Sequence, residues 1–373
     1  MSFVECRLAI PEDDADLRRI LRESPFDGSI SLSFEREPDY FCAANLEGPF
    51  HQTMVVCESQ TGQIMGMGER SVRQLWVNGQ PCDVGYFSGL RAREKYRRGL
   101  AMARFTQQGF GYYEQLHADG RAPFYLISVI ADNLPARRLL TSGLKGLPQL
   151  REYTRMFTYA IHPARPKRNL PLPDGLQLIR GSKDSIPAIV DCLNHNGVNK
   201  QFSPTWRKDT LLSALTPHLV IEDFFLVIDG SRVVGCLALW DQNAFKQTVV
   251  RGYAGLLKRF RKTINLLTPL GAWPSLPEPG ARLNQCYACF LAIDDDHPGI
   301  FAALLRAFHN EAVRRKYAYF IIGLAEANPL RPIAAAYRPI EYVSQIYLAA
   351  WPDGLGEIAK VDGRLPGLEI AIL

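Results

Sequence analysis

Between residues 89 and 105 the chain reads GLRAREKYRRGLAMARF, a stretch whose residue types suit the binding of an anion. A strand signature runs into a turn carrying Arg93, Lys95, Arg97 and Arg98, and the turn passes through Gly99 directly into a helix signature. Free backbone N–H groups and the positive end of the macrodipole coincide at a helix N-terminus. Main-chain donors there can hold a pyrophosphate while arginines add charge-assisted bonds. Gly99 lets the backbone approach the anion, and small Ala101 and Ala103 keep the first turn open.

The segment Tyr96-Arg97-Arg98-Gly99-Leu100-Ala101 is similar to the phosphate loop of the GNAT superfamily of acetyl-CoA-dependent N-acetyltransferases, (Gln or Arg)-x-x-Gly-x-(Gly or Ala). It matches the glycine and the alanine and carries Tyr in the first place. A second family element, Asn-x-x-Ala-Arg-Arg-Leu, stands intact as Asn133-Leu134-Pro135-Ala136-Arg137-Arg138-Leu139. Both elements in family order, about 35 residues apart on the expected strand and helix types, carry the resemblance.

The resemblance implies that Leu90, Arg91 and Ala92 lend backbone groups to the pantetheine arm of acetyl-CoA. It places the pyrophosphate on Arg97, Arg98, Gly99, Leu100, Ala101 and Met102, sets Asn133 against the pantetheine or the sulfur end, and includes Arg137 in the cofactor site. Asn133 is equally a good N-cap. Acetyl transfer to an amine needs a base for the ammonium, donors for the thioester carbonyl and an acid for the thiolate. The family's usual acid is a Tyr four residues after the motif alanine, and that position here is Leu140. Tyr153, Tyr86 and Ser88 are the substitutes on offer, and Glu69 is the candidate base, acting through a water. No metal is implied.

Residues 53–59, 63–69 and 83–92 read as strands separated by Thr61-Gly62 and Asn78-Gly79 turns. A helix with Ala101, Phe105, Tyr112 and Leu116 on one face follows over 100–117, then a strand at 123–132, a short helix at 134–142 and a last strand at 153–161. The second half repeats this order: a hairpin at 224–240 around Asp229-Gly230, a strand at 287–293, a helix at 299–316 and a strand at 318–326. Between the halves, prolines at 163, 166, 171 and 173 form an extended connector.

The reading is therefore an α/β (α+β) fold of two tandem GNAT-like domains, residues 1–162 and 175–373, joined by a linker at 163–174. Each is expected to carry a mixed, mostly antiparallel central sheet with helices on both faces. In the later copy Asp294, Asp295 and Asp296 replace the basic turn and repel an anion, and Pro332 breaks the second element. An inserted basic segment, 241–285, holds Lys246, Arg251, Lys258, Arg259, Arg261 and Lys262. It reads as a solvated amphipathic helix followed by a Pro-rich loop; the alternatives are a cover over the N-terminal cleft, a seat for an acidic acceptor or an RNA contact.

A chain of 373 residues exceeds the usual growth of one core, and a net charge of +5 is too modest for a dedicated nucleic-acid binder. No apolar run approaches a membrane span, and the acidic N-terminus is unlike a signal peptide. A cytoplasmic protein with reduced thiols follows as the expectation; Cys286 and Cys289, though spaced CxxC, read as buried strand residues. The expected activity is acetyl transfer from acetyl-CoA to a small-molecule or peptide amine, with a homodimer compatible. A non-catalytic acyl-CoA sensor or scaffold, or a transferase using another acyl donor, stands beside it.

Overall fold

The computed structural model describes residues 4–26, 28–97, 99–267 and 275–373, the side chains of Leu100, Ala101 and Leu267 excepted. The first half contains β1 (Val4–Leu8), α1 (Asp14–Arg22), β2 (Ile30–Glu35), β3 (Phe50–Glu58), β4 (Ile64–Val77), β5 (Gln80–Ala92), α2 (Gly99–His117), β6 (Tyr125–Ile130), α3 (Leu134–Leu140) and β7 (Gln149–Ile161). The second half contains β8 (Leu176–Arg180), α4 (Ile186–Gly197), β9 (Phe224–Asp229), β10 (Arg232–Trp240), β11 (Gln247–Tyr253), α5 (Gly255–Leu267), β12 (Gln285–Ile293), α6 (Pro298–Arg314), β13 (Tyr319–Ala325), α7 (Arg331–Ala335), β14 (Ile340–Ala350) and α8 (Leu355–Lys360).

Strand alternation sends successive side chains to opposite faces, and both faces are apolar here, so each half carries helices on two sides. In the first half Met54 and Val56 face α2 through Phe105, Phe110 and Tyr113, whereas Val55 and Cys57 face α1 through Leu17, Ile20 and Leu21. In the second, Leu226, Cys236 and Ala238 pack with Ile189 and Leu193 of α4, while Phe225, Val227 and Leu237 pack with Leu304, Leu305 and Phe308 of α6. Cys286 and Cys289 are buried strand thiols, as their apolar setting suggested.

The mixed, mostly antiparallel sheet expected of each half is present, but the halves share it. Twelve strands run β1-β3-β4-β5-β6-β14-β7-β13-β12-β10-β9-β8, an order that reads as the same repeat from either end. The last strands are exchanged: β14 fills the place beside β6, and β7 fills the place beside β13. The two exchanged strands then pair with each other along 340–350 and 149–160. Sequence periodicity identifies strands but carries no information on which half each one completes.

The insertion also folds further than expected. Its first part is a strand, β11, which pairs antiparallel with β2 of the first half as a separate two-stranded sheet. Arg251 of β11 bonds Ser33 Oγ at 2.9 Å and pairs with Glu35. Beyond it α5 is the expected amphipathic helix, with Leu256 and Phe260 exposed. Among the described residues no helix is long and apolar enough to cross a membrane.

Candidate active site

β5 and β6 pair in parallel only where Gly85, Tyr86 and Phe87 meet Tyr125, Leu126 and Ile127. Gly85 is required there, because a Cβ would enter the Tyr125 ring. Beyond Phe87 the strands diverge. A bulge helps to turn β5 away: Ser88 lies opposite Glu69 and Arg91 opposite Met67, so that Gly89 and Leu90 together face the single residue Gly68. Gly89 has φ +58°, and a Cβ at this position would lie 3.0 Å from the Glu69 side chain.

The wedge opens into a cavity of about 310 Å³. One wall is the bulged run Ser88, Gly89, Leu90 and Arg91; the other is Ser128, Val129, Ile130 and Asn133. The second half contributes Lys246, Tyr287 and Tyr342, so the chamber belongs to the whole chain.

A buried charge cluster forms one end. Glu69, 1% exposed, is bonded by both terminal nitrogens of Arg36, by the Tyr40 hydroxyl and, at 3.0 Å, by the Ser88 hydroxyl. Burial works to raise its pKa, but the Arg36 charge, the nearby His51 ring and the Tyr40 bond hold its carboxyl well below the usual range. Glu47 sits on the same Ser88 hydroxyl, at 2.6 Å, and meets Arg36 at 3.5 Å. Burial and the neighbouring Glu69 charge push its carboxyl upward. Of the two acids, Glu69 is a fixed anion and Glu47 is the one poised to accept a proton. Glu47, His51 and Glu69 offer three ligand atoms within 4.8 Å of one another, but Arg36 already supplies the positive charge a cation would bring.

Arg36, Tyr40, Glu47, His51 and Lys246 escaped the reading of the sequence. Arg36, Tyr40 and Glu47 lie in the connection between β2 and β3, where periodicity is silent, His51 lies at the start of β3, and Lys246 was one cation among seven in the insertion.

The residues singled out from the sequence fall into three groups. Glu69, Tyr86, Ser88, Leu90, Arg91 and Asn133 come together on the cavity, and Leu140 lines it as well. Tyr153 stands apart, its ring 5.0 Å from Phe202 in a different apolar cluster. The remainder form the turn and its supports. Arg97 bonds the Ala92 carbonyl at 2.7 Å, the Glu23 carbonyl at 2.7 Å and Ser24 Oγ at 2.6 Å, so its guanidinium braces the turn against α1. Gly99 opens α2 with φ +62°, a conformation suited to glycine. Met102 packs on the α2 core, and Ala92 is buried there. Arg98 lies outside the described residues, as do the side chains of Leu100 and Ala101. Asn133 caps α3, accepting from Ala136 N at 3.2 Å. Arg137 bonds Tyr347 Oη of β14 at 2.8 Å and Glu152 at 3.0 Å, tying α3 to the exchanged strands.

The wedge of the second half is closed. β12 and β13 again pair in parallel over three residues, and Phe290, φ +55°, occupies the corresponding bulge. Here Glu369 accepts the Phe290 N–H at 2.7 Å, and Ile370 lies where a Cβ on Gly323 would reach. Two of the three aspartates are consumed locally: Asp294 by Arg232 and Asn196, and Asp296 by Lys200 at 2.6 Å. His297 caps α6 with its own ring nitrogen.

No family model and no curated protein sequence matches the chain. Solved structures do match. A GCN5-related N-acetyltransferase from Sphaerobacter thermophilus aligns with TM-score 0.55 at 12% identity, covering 99% of this chain and 98% of that one. Saccharomyces cerevisiae N-myristoyltransferase with bound myristoyl-CoA aligns with TM-score 0.58 at 11% identity, over 95% and 82% of the two chains. A GCN5-related glucosamine N-acetyltransferase region of a fungal multi-domain GH3 β-N-acetylglucosaminidase aligns with TM-score 0.60 at 11% identity, over 94% of this chain and 38% of that one. The architecture of this chain is the fold of the GCN5-related N-acetyltransferases.

Proposed function

We propose that the chain is a CoA-dependent N-acyltransferase that holds its acyl donor in the first-half wedge. The carrying observation is the contrast between the two wedges: one opens on a polar chamber, and the other is filled by Glu369 and Ile370. The pantetheine arm would lie along Leu90, Arg91 and Ala92, with the pyrophosphate at the turn into α2, whose N-terminal N–H groups are oriented to receive it. Arg97 serves by shaping that turn.

In this reading an ammonium acceptor gives its proton to Glu47, and the free amine attacks the thioester carbonyl carbon. The C–N bond forms, the C–S bond breaks, and the sulfur leaves with the electron pair. The second amine proton passes to the sulfur, giving amide and CoA thiol. Leu140 removes the family's usual acid, so Tyr86 or Ser88 would carry that last proton; burial keeps the Tyr86 hydroxyl protonated. Acetyl-CoA is the proposed donor, and a longer acyl-CoA is the variant that the cavity's apolar Phe26, Phe34 and Ile346 would accommodate.

Titration calorimetry with acetyl-CoA, followed by thiol release in the presence of amines, tests the reading. Absence of binding at millimolar acetyl-CoA and at solubility-limited myristoyl-CoA would overturn it. Leu140 on the cavity wall also favours a second reading, a non-catalytic acyl-CoA sensor, for which the same titration gives binding without turnover of any amine.

A further inference from the structure

The helix of the insertion, α5, has one face committed to the protein and one face left open. On the committed face Asn265 exchanges hydrogen bonds with the Leu276 backbone at 2.7 and 2.9 Å, and Arg261 reaches the Leu276 carbonyl at 3.3 Å and Glu278 at 2.5 Å. Leu257 and Ile264, three or four residues from Arg261, are half-buried on the same side. The open face carries Leu256, 73% exposed, and Leu266, 77% exposed, the two highest values among the large apolar residues of the described chain. Phe260, 45% exposed, lies one turn from Leu256. Lys258, Arg259 and Lys262 are exposed between them. Of the four cations of α5 only Arg261 forms an ion pair among the described residues, and the helix sequence GLLKRFRKTINLL contains no acid.

Single apolar residues scattered over a surface are ordinary, but three on one short helix interleaved with three unpaired cations form a surface with a preferred partner. An anionic lipid surface matches both features. Apolar side chains enter the boundary between headgroups and acyl chains, while the long basic side chains keep their charged ends at the phosphates. A nucleic acid matches the cations alone, because a phosphate backbone gives the two leucines nothing to bury against. We propose that α5 docks the chain peripherally on an anionic lipid surface, with Leu256, Phe260 and Leu266 entering it and Lys258, Arg259 and Lys262 meeting its phosphates. Only Ala254 separates α5 from β11, and β11 pairs with β2, whose Phe34 and Glu35 line the chamber. The docking helix is thus continuous with the chamber wall. This inference goes beyond the transferase reading and stands without it.

Co-sedimentation of the full chain with vesicles tests the proposal. Partition onto phosphatidylcholine vesicles containing about 30% phosphatidylglycerol should exceed partition onto pure phosphatidylcholine by about tenfold or more, and should fall as salt rises. Lys258→Gln combined with Lys262→Gln should remove the preference for the anionic vesicles. Leu256→Ser combined with Leu266→Ser should weaken binding to them by about tenfold or more, with circular dichroism and Tm unchanged because both side chains are exposed. The comparison of the two vesicles uses the unaltered chain and so does not depend on the variants folding. No partition, or equal partition onto both vesicles, would overturn the proposal. So would anionic-vesicle binding that the leucine pair leaves untouched, since the apolar side chains would then take no part. Binding of a single-stranded RNA oligonucleotide without vesicle partition would assign the helix to nucleic acid and overturn it as well.

Discussion

The pair Glu47 and Glu69 illustrates how environment assigns roles to two like side chains. Glu69 shares its charge with Arg36, Tyr40 and Ser88, and Glu47 carries the proton-accepting capacity that remains. Glu47→Gln is expected to lower turnover by about 10²-fold or more, the scale of a lost general base, while acetyl-CoA still binds by calorimetry. The rate with the unaltered chain should rise with pH as Glu47 deprotonates. Glu69→Gln should instead release Arg36 and show as a fall in Tm. Glu369 gives a third test: burial, partly countered by two backbone N–H bonds, raises its pKa from 4.5 to about 7. The folded state then binds a proton that the unfolded chain has released, so stability falls as pH rises from about 4.5 to about 7. Glu369→Gln should flatten that slope in denaturant titrations across the window. Glu69 and Ser88 were legible because they sit on strong strand signatures beside a recognisable motif. Glu47 and Arg36 were not, since their roles come from a connection folding over the wedge.

The bulge in β5 is the element on which the site turns. Gly89 takes a left-handed conformation, and Glu69 presses against the space a side chain would fill. Gly89→Ala is expected to cost about 1–2 kcal/mol from backbone handedness alone, with further loss of acyl-CoA affinity as the bulge shifts. Chemical denaturation and calorimetry on the same variant separate the two effects. The turn before α2 behaves differently from the expectation built on charge. Arg97 looked like a phosphate ligand because of its place in the motif, yet its three bonds go to the chain itself. Arg97→Ala should therefore lower Tm as well as donor affinity. Spacing reveals where a basic residue lies, but whether its guanidinium is already committed depends on carbonyls, here Ala92 and Glu23, that only the folded chain brings near.

At the scale of the molecule, most of the repeat was visible in the sequence, from the strand and helix order to the acidic turn of the later copy. The exchange of β7 and β14 was hidden, because each strand carries the same apolar alternation wherever it docks. Arg137 on Tyr347 and Arg331 on Tyr159 show how tightly the exchanged strands are stitched to the opposite half. Thermal unfolding of the intact chain is expected to be a single transition, and the fragment 1–174, lacking β14, is expected to remain unfolded or to self-associate; two separate calorimetric peaks would contradict this.

The same exchange imposes an order in time on synthesis. About 210 residues separate the end of β6 from the start of β14, so a nascent chain emerging at roughly 5–20 residues per second waits on the order of 10–40 s with the edge of β6 unpaired. An open edge of that kind invites pairing with strangers, which makes ribosome-bound chains, rather than the finished protein, the stage most dependent on chaperones.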